Sequence, residues 1–338
     1  MDQGSDQSVA ALLRLVNGYR TTQAIHVAAK LGIADLLAAG PRTSDDLADA
    51  TACHAPSLYR LLRALAAIDI LHEEGGHVFS LAPLGEWLRS DIPESVAGWA
   101  AFIGEPYHWQ AWGDMLHSVQ TGETGFDHVH GTDPWTFRAQ RPELSAGFDR
   151  AMSSLSRQLV ASVLAAYDFG RFATVVDIGG GNGALLAAIL SRYPAMRGVL
   201  FDQPHVVAGA APLLQQAGVA DRCEVVGGSF FEAVPSGGDA YILKSIIHDW
   251  DDERSVEILK VCRRAMTDDA ALLLVERDLG PANARPDAKF SDLNMLAATG
   301  GRERSAEEYA ALYAASGFRF VDVTRGDRGT SVFEGKAA

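Results

Sequence analysis

The stretch TVVDIGGGNGALL, Thr174 to Leu186, decides how this chain reads. Val175, Val176 and Ile178 are strand formers around an acid, Asp177. Four glycines follow (Gly179, Gly180, Gly181 and Gly183), and then an Ala/Leu-rich run from Ala184 to Leu190. That order spells strand, tight turn, helix. Glycines at such a turn permit positive φ and let a ligand come close to the backbone. The helix N-terminus beyond them offers unpaired N–H groups and a positive dipole end. A plain turn needs fewer glycines and no acid.

Two ligand classes fit this turn. Gly179, Gly181 and Ala184 satisfy the dinucleotide pattern G-x-G-x-x-G/A, so a nicotinamide oxidoreductase is one reading. Asp177 pulls the other way: two residues before the first glycine, a carboxylate repels a pyrophosphate and welcomes an ammonium. Further on, GVLFDQPHVV ends a second apolar run at Asp202, nineteen residues after Gly183, where an acid suits ribose hydroxyls. Asp177 with Asp202 therefore fits a nucleoside with a cationic amino-acid tail, which describes S-adenosylmethionine.

Outward from the turn, strands are expected at 174–178, 198–201, 222–226, 239–243, 270–275, 318–324 and 329–335, with helices at 184–191, 205–217, 252–266 and 305–316. Such alternation implies an α/β fold with a Rossmann-like, mostly parallel sheet covered on both faces, closed by an antiparallel edge pair. Ligands bind beyond the carboxyl ends of such strands. That rim holds Asp177, Asp202, Ser229–Phe230, Lys244 and Glu276.

The N-terminal third reads differently. Val9 to Ala38 has helical apolar spacing broken near Gly32 and Gly40–Pro41. Thr43 or Ser44 caps the next helix, a further helix runs SLYRLLRALAAIDIL, and HEEGGHVFSLAPLG is a hairpin. Helices followed by a hairpin give a winged-helix-like arrangement. A DNA-reading regulator is one interpretation, but Ser57–Leu71 has only Arg60 and Arg63 as bases, and a helix this apolar is buried against the domain or a second subunit. The expected division is a dimerisation domain over 1–100, connecting helices over 101–170 that contribute to a substrate pocket, and a catalytic domain over 171–338. Residues 96–160 are rich in aromatics, Trp109 and Trp112 among them, as in pockets for flat aromatic molecules. HVHGTDPW is expected as a loop, and Pro142 starts a helix with Phe148, Met152, Leu155 and Leu159 on one stripe.

Composition narrows the partners. The 338 residues suffice for two domains, and 43 acids against 29 bases leave a net charge of −14, which speaks against general nucleic-acid binding. No apolar run approaches the ~20 residues that span a membrane. The opening MDQGSDQS is polar and acidic, so no signal peptide and a cytoplasmic location are expected. Cys53, Cys223 and Cys262 lie far apart and read as core thiols, and spacing shows no metal-ligand set.

The chemistry-bearing segment is KSIIHDWDDER after Lys244. His248 follows the strand by four residues, with Asp249 and Trp250 beside it. Glu276 ends the next strand, and Glu303 lies in GGRERS. Carboxylates around a histidine fix its tautomer and make it a better base. Asp251 and Asp252 read as helix caps.

VVDIGGGNGALL, FDQPHVV, KSIIHDWDDE, VERD and DLNMLAATGGRERS together resemble the S-adenosylmethionine-dependent O-methyltransferases of the caffeate and hydroxyindole type, from about Asn17 to Val332. The resemblance implies a homodimer, S-adenosylmethionine as cofactor, a small hydroxylated aromatic substrate and no metal. It implies that His248 is the general base, flanked by Glu276 and Glu303, with Asp249 near the reacting sulfonium. Gly179, Gly181, Asp202, Gln203, Phe230, Lys244 and Ser156 match cofactor contacts, as does Met152 more loosely. Phe148, Met152 and Met295 match substrate-lining positions. Ser229 departs from the family, which usually has an acid there to hold the adenine amino group, so adenine contacts are expected to be weaker or rearranged. Asn294 is polar where plant relatives are apolar, which hints at a polar group on the substrate. Some relatives keep the cofactor and perform hydroxylation or decarboxylation; the presence of His248 favours methyl transfer.

Overall fold

The computed structural model of the chain describes residues 3–327 and 329–338, with side chains from residue 8 onward. Two compact units divide it. One comprises residues up to 109 with 141–155, the other 110–140 with 156–338. The stretch 101–170, read above as connecting helices, contributes to both.

In the first unit, α1 (Gln3–Val16), α2 (Gly18–Lys30), α3 (Ile33–Leu37), α4 (Ser44–Thr51) and α5 (Ala55–Ala66) precede a hairpin of β2 (Leu71–Glu74) and β3 (Val78–Leu81). The short β1 (Arg42–Thr43) joins β3, giving the antiparallel order β1-β3-β2. Gly32, at φ +64°, makes the expected break before α3; a further break at Asn17 separates α1 from α2. Thr43 is the cap of α4. Its side chain accepts from the Asp46 N–H while the Asp46 carboxylate accepts from the Thr43 N–H, a reciprocal capping box. α5 ends at Ala66 rather than reaching Leu71, because the chain turns through Asp69 at φ +58° and β2 begins two residues later. Leu58, Leu62 and Leu65 form its buried stripe, packed with Leu47 and Phe79.

The second unit is built on a seven-stranded sheet: β4 (Thr174–Ile178), β5 (Arg197–Asp202), β6 (Cys223–Gly227), β7 (Ala240–Lys244), β8 (Ala271–Arg277), β9 (Phe318–Arg325) and β10 (Thr330–Ala337). The order is β6-β5-β4-β7-β8-β10-β9. The first five are parallel, and β10 runs antiparallel to both β8 and β9. The central strands are apolar on both faces, so each side of the sheet carries its own core. Leu186, Leu190, Leu200 and Ile242 lie in one; Tyr241, Leu243, Leu272 and Phe333 lie in the other. The expected strands agree with the observed ones to within one or two residues at each end.

Three segments differ from expectation. The helix expected over 205–217 is two pieces, Pro204–Val207 and Ala211–Gln216, since Gly209 loosens the chain and Pro212 is tolerated only in a first helical turn. HVHGTDPW is only partly loop. One helix ends at His130 against a left-handed Gly131, and Asp133 caps the next, Pro134–Ala139. DLNMLAA belongs to a helix, Pro286–Ala298, that the strand–helix alternation did not include.

Val9, Leu12, Leu13, Leu15 and Val16 of α1 are exposed, Leu15 by 79%. An apolar face of this kind calls for a second subunit. Replacing Leu12 and Leu15 with Lys should halve the particle mass in sedimentation equilibrium while the circular dichroism spectrum stays the same. An unchanged mass would show that the contact lies elsewhere.

Candidate active site

At the carboxyl ends of the parallel strands the fold builds two adjacent constellations. The first surrounds the glycine turn after β4. Gly179 and Gly181 take φ of +68° and +62°, values that favour glycine, and the Gly179 N–H donates to the Phe201 carbonyl at 2.7 Å. The Asp202 carboxylate at the end of β5 accepts from the Gly181 N–H at 2.9 Å and from the Gln203 N–H at 2.6 Å. It thus ties the turn to the neighbouring strand and keeps lone pairs for a ligand. A Cβ on Gly181 would meet nothing within 4 Å, so the backbone there is open.

Asp177 is buried, and neither of its carboxylate oxygens has a hydrogen-bond partner among the described residues. Burial pushes its carboxyl up to about 7, against the pull of Lys244. A buried, unpartnered acid costs free energy unless something cationic or hydrogen-bonding meets it. Lys244 itself is held below the ordinary lysine value by burial, opposed by Asp177 and Glu276. Ser229 and Phe230 follow β6. The Ser229 hydroxyl accepts from the Phe231 N–H at 3.3 Å, and Phe230 and Phe231 pack with Trp250 into an aromatic cluster.

The second constellation is centred on His248. Beyond β7, Ser245 takes φ +55°, which turns the chain sharply into the short turn Ile247–Asp249. A non-glycine residue held in that region stores strain that its surroundings must hold in place. They do so through Glu276 on β8, whose Oε1 accepts from the N–H groups of Ile246 at 3.0 Å and Ile247 at 2.8 Å. The other Glu276 oxygen lies 3.3 Å from His248 Nδ1, and Glu303 Oε1 lies 3.3 Å from the same nitrogen. Asp249 Oδ1 is 3.8 Å from Nε2. Both glutamate side chains are fully buried and His248 is 16% exposed. Glu303 is fixed in turn: its Oε1 accepts from the Ser291 hydroxyl at 2.7 Å and its N–H donates to Asp292.

Burial alone would push the imidazole down. Glu276, Glu303 and Asp249 outweigh it and raise His248 to about 10. Burial raises Glu276 to about 7 and Asp249 to about 6, each opposed by His248. Burial also works to raise Glu303, but His248, the Ser291 hydroxyl and Arg277 prevail and hold it below the usual glutamate value. Two carboxylate oxygens at 3.3 Å favour a proton on Nδ1 by charge, while Nδ1 and Glu276 Oε2 have no hydrogen-bond partner among the described residues. His248, Glu276 and Glu303 also bring ligand atoms within 4.8 Å of one another, as do Asp114, His117 and His128, spacings that a metal ion could bridge. Sequence spacing could not reveal the first trio, whose members come from three separate elements. The 3.3 Å separations are those of an ion-paired histidine.

The remaining expected residues fall as follows. In the second unit, Asn294 accepts from the Trp112 indole N–H at 2.8 Å, Met295 is buried and Ser156 is half-buried. Trp109, Phe148 and Met152 belong to the first unit, where Phe148 packs edge-on to Phe102 at 5.5 Å. Sequence reasoning missed Arg304. It is fully buried and donates to the carbonyls of Ile247 and Trp250 on either side of His248. Its place beside Glu303 in GGRERS was the available signal.

Comparison with known proteins follows the same lines. A family model described as an O-methyltransferase domain matches residues 112–319, and one described as an O-methyltransferase dimerisation domain matches 13–91. The chain is 46% identical to the phenazine O-methyltransferase PhzM of Lysobacter antibioticus, over 96% of this chain and 95% of that one. It is 43% identical to the mitomycin biosynthesis 6-O-methyltransferase of Streptomyces lavendulae, over 90% of this chain and 87% of that one. The crystal structure of human N-acetylserotonin methyltransferase in complex with S-adenosylmethionine superposes with a TM-score of 0.91 at 26% identity, over the full length of both. Other relatives carry N-methyltransferase names.

The His248 cluster makes a direct prediction. Glu276→Gln keeps the oxygen that receives the Ile246 and Ile247 amides but removes one negative charge from Nδ1. The His248 titration followed by NMR should then move down by roughly 1–3 pH units. An unmoved midpoint would mean that Glu276 is not ionised against the imidazole.

Proposed function

We propose, for a chain that belongs to the O-methyltransferase family and carries that family's dimerisation domain, that it methylates a phenolic hydroxyl of a small aromatic natural product with His248 as general base. It is an S-adenosylmethionine-dependent methyltransferase. The observation that carries the finer reading is His248 itself, with its Nδ1 held between two buried carboxylates and its Nε2 left to face a substrate.

The residues present fit the cofactor. We assign its ammonium to the unpartnered Asp177, its ribose to the free lone pairs of Asp202 beside Gln203, and its approach to the open backbone of Gly181, with Gly179 packed on Ile246 at the start of the same turn. Phe230, Ser229, Lys244 and Ser156, and more loosely Met152, complete the cofactor reading, with Asp249 near the reacting centre. When bound, S-adenosylmethionine supplies an activated methyl group on a positively charged sulfur. What remains for the protein is alignment and proton removal.

A phenol with pKa ~10 is about 0.1% ionised at pH 7. His248 takes that proton at Nε2, and the resulting imidazolium is stabilised by Glu276 and Glu303 through Nδ1. The carboxylates raise His248 above the ordinary histidine value, which strengthens the imidazole as a base and leaves less of it unprotonated near pH 7. Only its unprotonated form can accept, so the rate should rise with pH above neutrality until His248 has lost its proton. Holding the acceptor in line could contribute ~7–11 kcal/mol. Asn294, Met295 and Trp112 are proposed to contact the substrate from the second unit; Phe148 and Met152 are assigned to substrate contact on the family match alone, and Trp109 on its place among the aromatics of residues 96–160. The names of relatives that act on a phenazine and on a dihydroxynaphthoate support a polycyclic aromatic acceptor.

Assayed on a panel of hydroxylated phenazines, quinones and naphthoates, His248→Ala should lower kcat by roughly 10²–10⁴-fold while S-adenosylmethionine still binds. Retention of the full rate at pH 7 would rule out His248 as the base. Asp202→Ala should weaken S-adenosylmethionine binding in calorimetry by about 1–3 kcal/mol, the cost of a lost charged hydrogen bond and a loosened glycine turn. Unaltered affinity would remove the ribose assignment.

A further inference from the structure

We infer that Arg304 is a positioning residue for methyl transfer: its guanidinium fixes the Ile247–Trp250 turn so that His248 keeps Nδ1 against Glu276 and Glu303 and Nε2 toward the acceptor. This rests on the reading of His248 as the base.

Arg304 is 0% exposed. Its Nη1 donates to the Ile247 carbonyl at 3.1 Å and the Arg302 carbonyl at 3.2 Å. Its Nη2 donates to the Trp250 carbonyl at 2.8 Å, to Asp252 Oδ1 at 2.8 Å and to the Ser255 hydroxyl at 3.3 Å. Its Nε donates to the same Asp252 oxygen at 2.9 Å. The two turn carbonyls it holds bracket His248 and Asp249 in the chain. The planar fork matters here, since its five N–H donors serve three carbonyls, a carboxylate and a hydroxyl at once, more acceptors than the three N–H groups of an ammonium can meet. A buried charge is weak evidence for stability, because well-packed apolar residues often do as well. What an apolar side chain could not do is grip both ends of the turn.

The neighbouring residues act on the same turn. A Cβ on Gly301 would lie 2.0 Å from the His248 carbonyl oxygen and 2.4 Å from the Asp249 carbonyl carbon, so this loop is packed directly on the backbone of the turn. Glu303 meets the imidazole and Arg304 the backbone, so consecutive residues fix the side chain and the main chain of one base. A shift of the turn by 1 Å would change both carboxylate distances at Nδ1 together. The charged groups around the imidazole are Asp249 on its own turn, Glu276 on β8 and Glu303 on the loop. Arg277 lies near Glu303, Arg138 acts on Asp249, and the Tyr309 hydroxyl on the helix Ala306–Ala315 feels both glutamates.

The test compares full-length Arg304→Lys and Asp252→Asn with the wild type and with His248→Ala. Three quantities are read: the His248 titration by NMR, S-adenosylmethionine affinity by calorimetry, and kcat and KM on the acceptor identified by the panel. The expected result is a His248 midpoint lowered toward that of an ordinary histidine and kcat reduced by about 10–100-fold, with cofactor affinity and KM nearly unchanged. Asp252→Asn keeps the guanidinium and weakens its anchor, together with an exposed 3.8 Å pairing to Arg302, so it carries the test if Arg304→Lys does not fold. A His248 midpoint and kcat equal to wild type in the folded variants would overturn the inference, and so would parallel losses of cofactor affinity and rate. If His248→Ala itself keeps its rate, it is the base assignment that fails.

Discussion

The interaction on which the site depends is the meeting of one imidazole nitrogen with two buried carboxylates. His248 Nδ1 lies 3.3 Å from both Glu276 and Glu303, and neither glutamate side chain is exposed. Burying three ionisable groups is expensive unless each has partners. Glu276 therefore also receives two backbone amides, and Glu303 receives the Ser291 hydroxyl. Each partner comes from a different element: the turn after β7, the end of β8, and the loop after the helix Pro286–Ala298. The cluster works as a knot that joins the sheet rim to its covering helix, and the charge it concentrates raises the basicity of the one nitrogen left outside.

Sheet order places this knot beside the glycine turn. β4 and β7 are neighbours in parallel register, Ile178 opposite Leu243, so Asp177 and Lys244 leave adjacent strands close to the same edge. The unpartnered acid and open backbone of one constellation suit a cationic nucleoside, and the basic nitrogen of the other suits an acidic hydroxyl. The parallel sheet contributes a rigid common edge, and rigid elements hold a reacting geometry better than loops do.

Much of this architecture was legible because its signals are local. Glycines that require positive φ, apolar strands and capping residues announce themselves over a few positions, so the turn at Gly179–Gly183 was found where it lies and the cap of α4 was narrowed to Thr43 or Ser44, of which the structure has Thr43. The helix Pro286–Ala298 was not, since its apolar and polar residues mix around the axis and its sequence served instead as a family motif. The strand ends put His248 and Glu276 at one rim with Glu303 in a later loop, and the family resemblance supplied their pairing, as no local period connects residues on three elements. Arg304, next to Glu303, was passed over for another reason. An arginine in a polar loop ordinarily faces solvent, and only the packed structure shows this one closed in by carbonyls. The helix over 205–217 failed on a local detail, Gly209 followed by Pro212, whose weight against a continuous apolar pattern was underestimated.

The account stands on which nitrogen of His248 carries the proton. Nitrogen-15 NMR of histidine-labelled protein, bound to S-adenosylmethionine and taken through the alkaline range, reports that directly. The account predicts a cation that persists above the ordinary histidine range and loses its proton from Nε2, leaving a neutral Nδ1–H tautomer against the two glutamates. A neutral imidazole near pH 7 with its hydrogen on Nε2 would contradict it, because the unprotonated form would then have its lone pair at Nδ1, against the glutamates, and none at Nε2 for a phenol's proton.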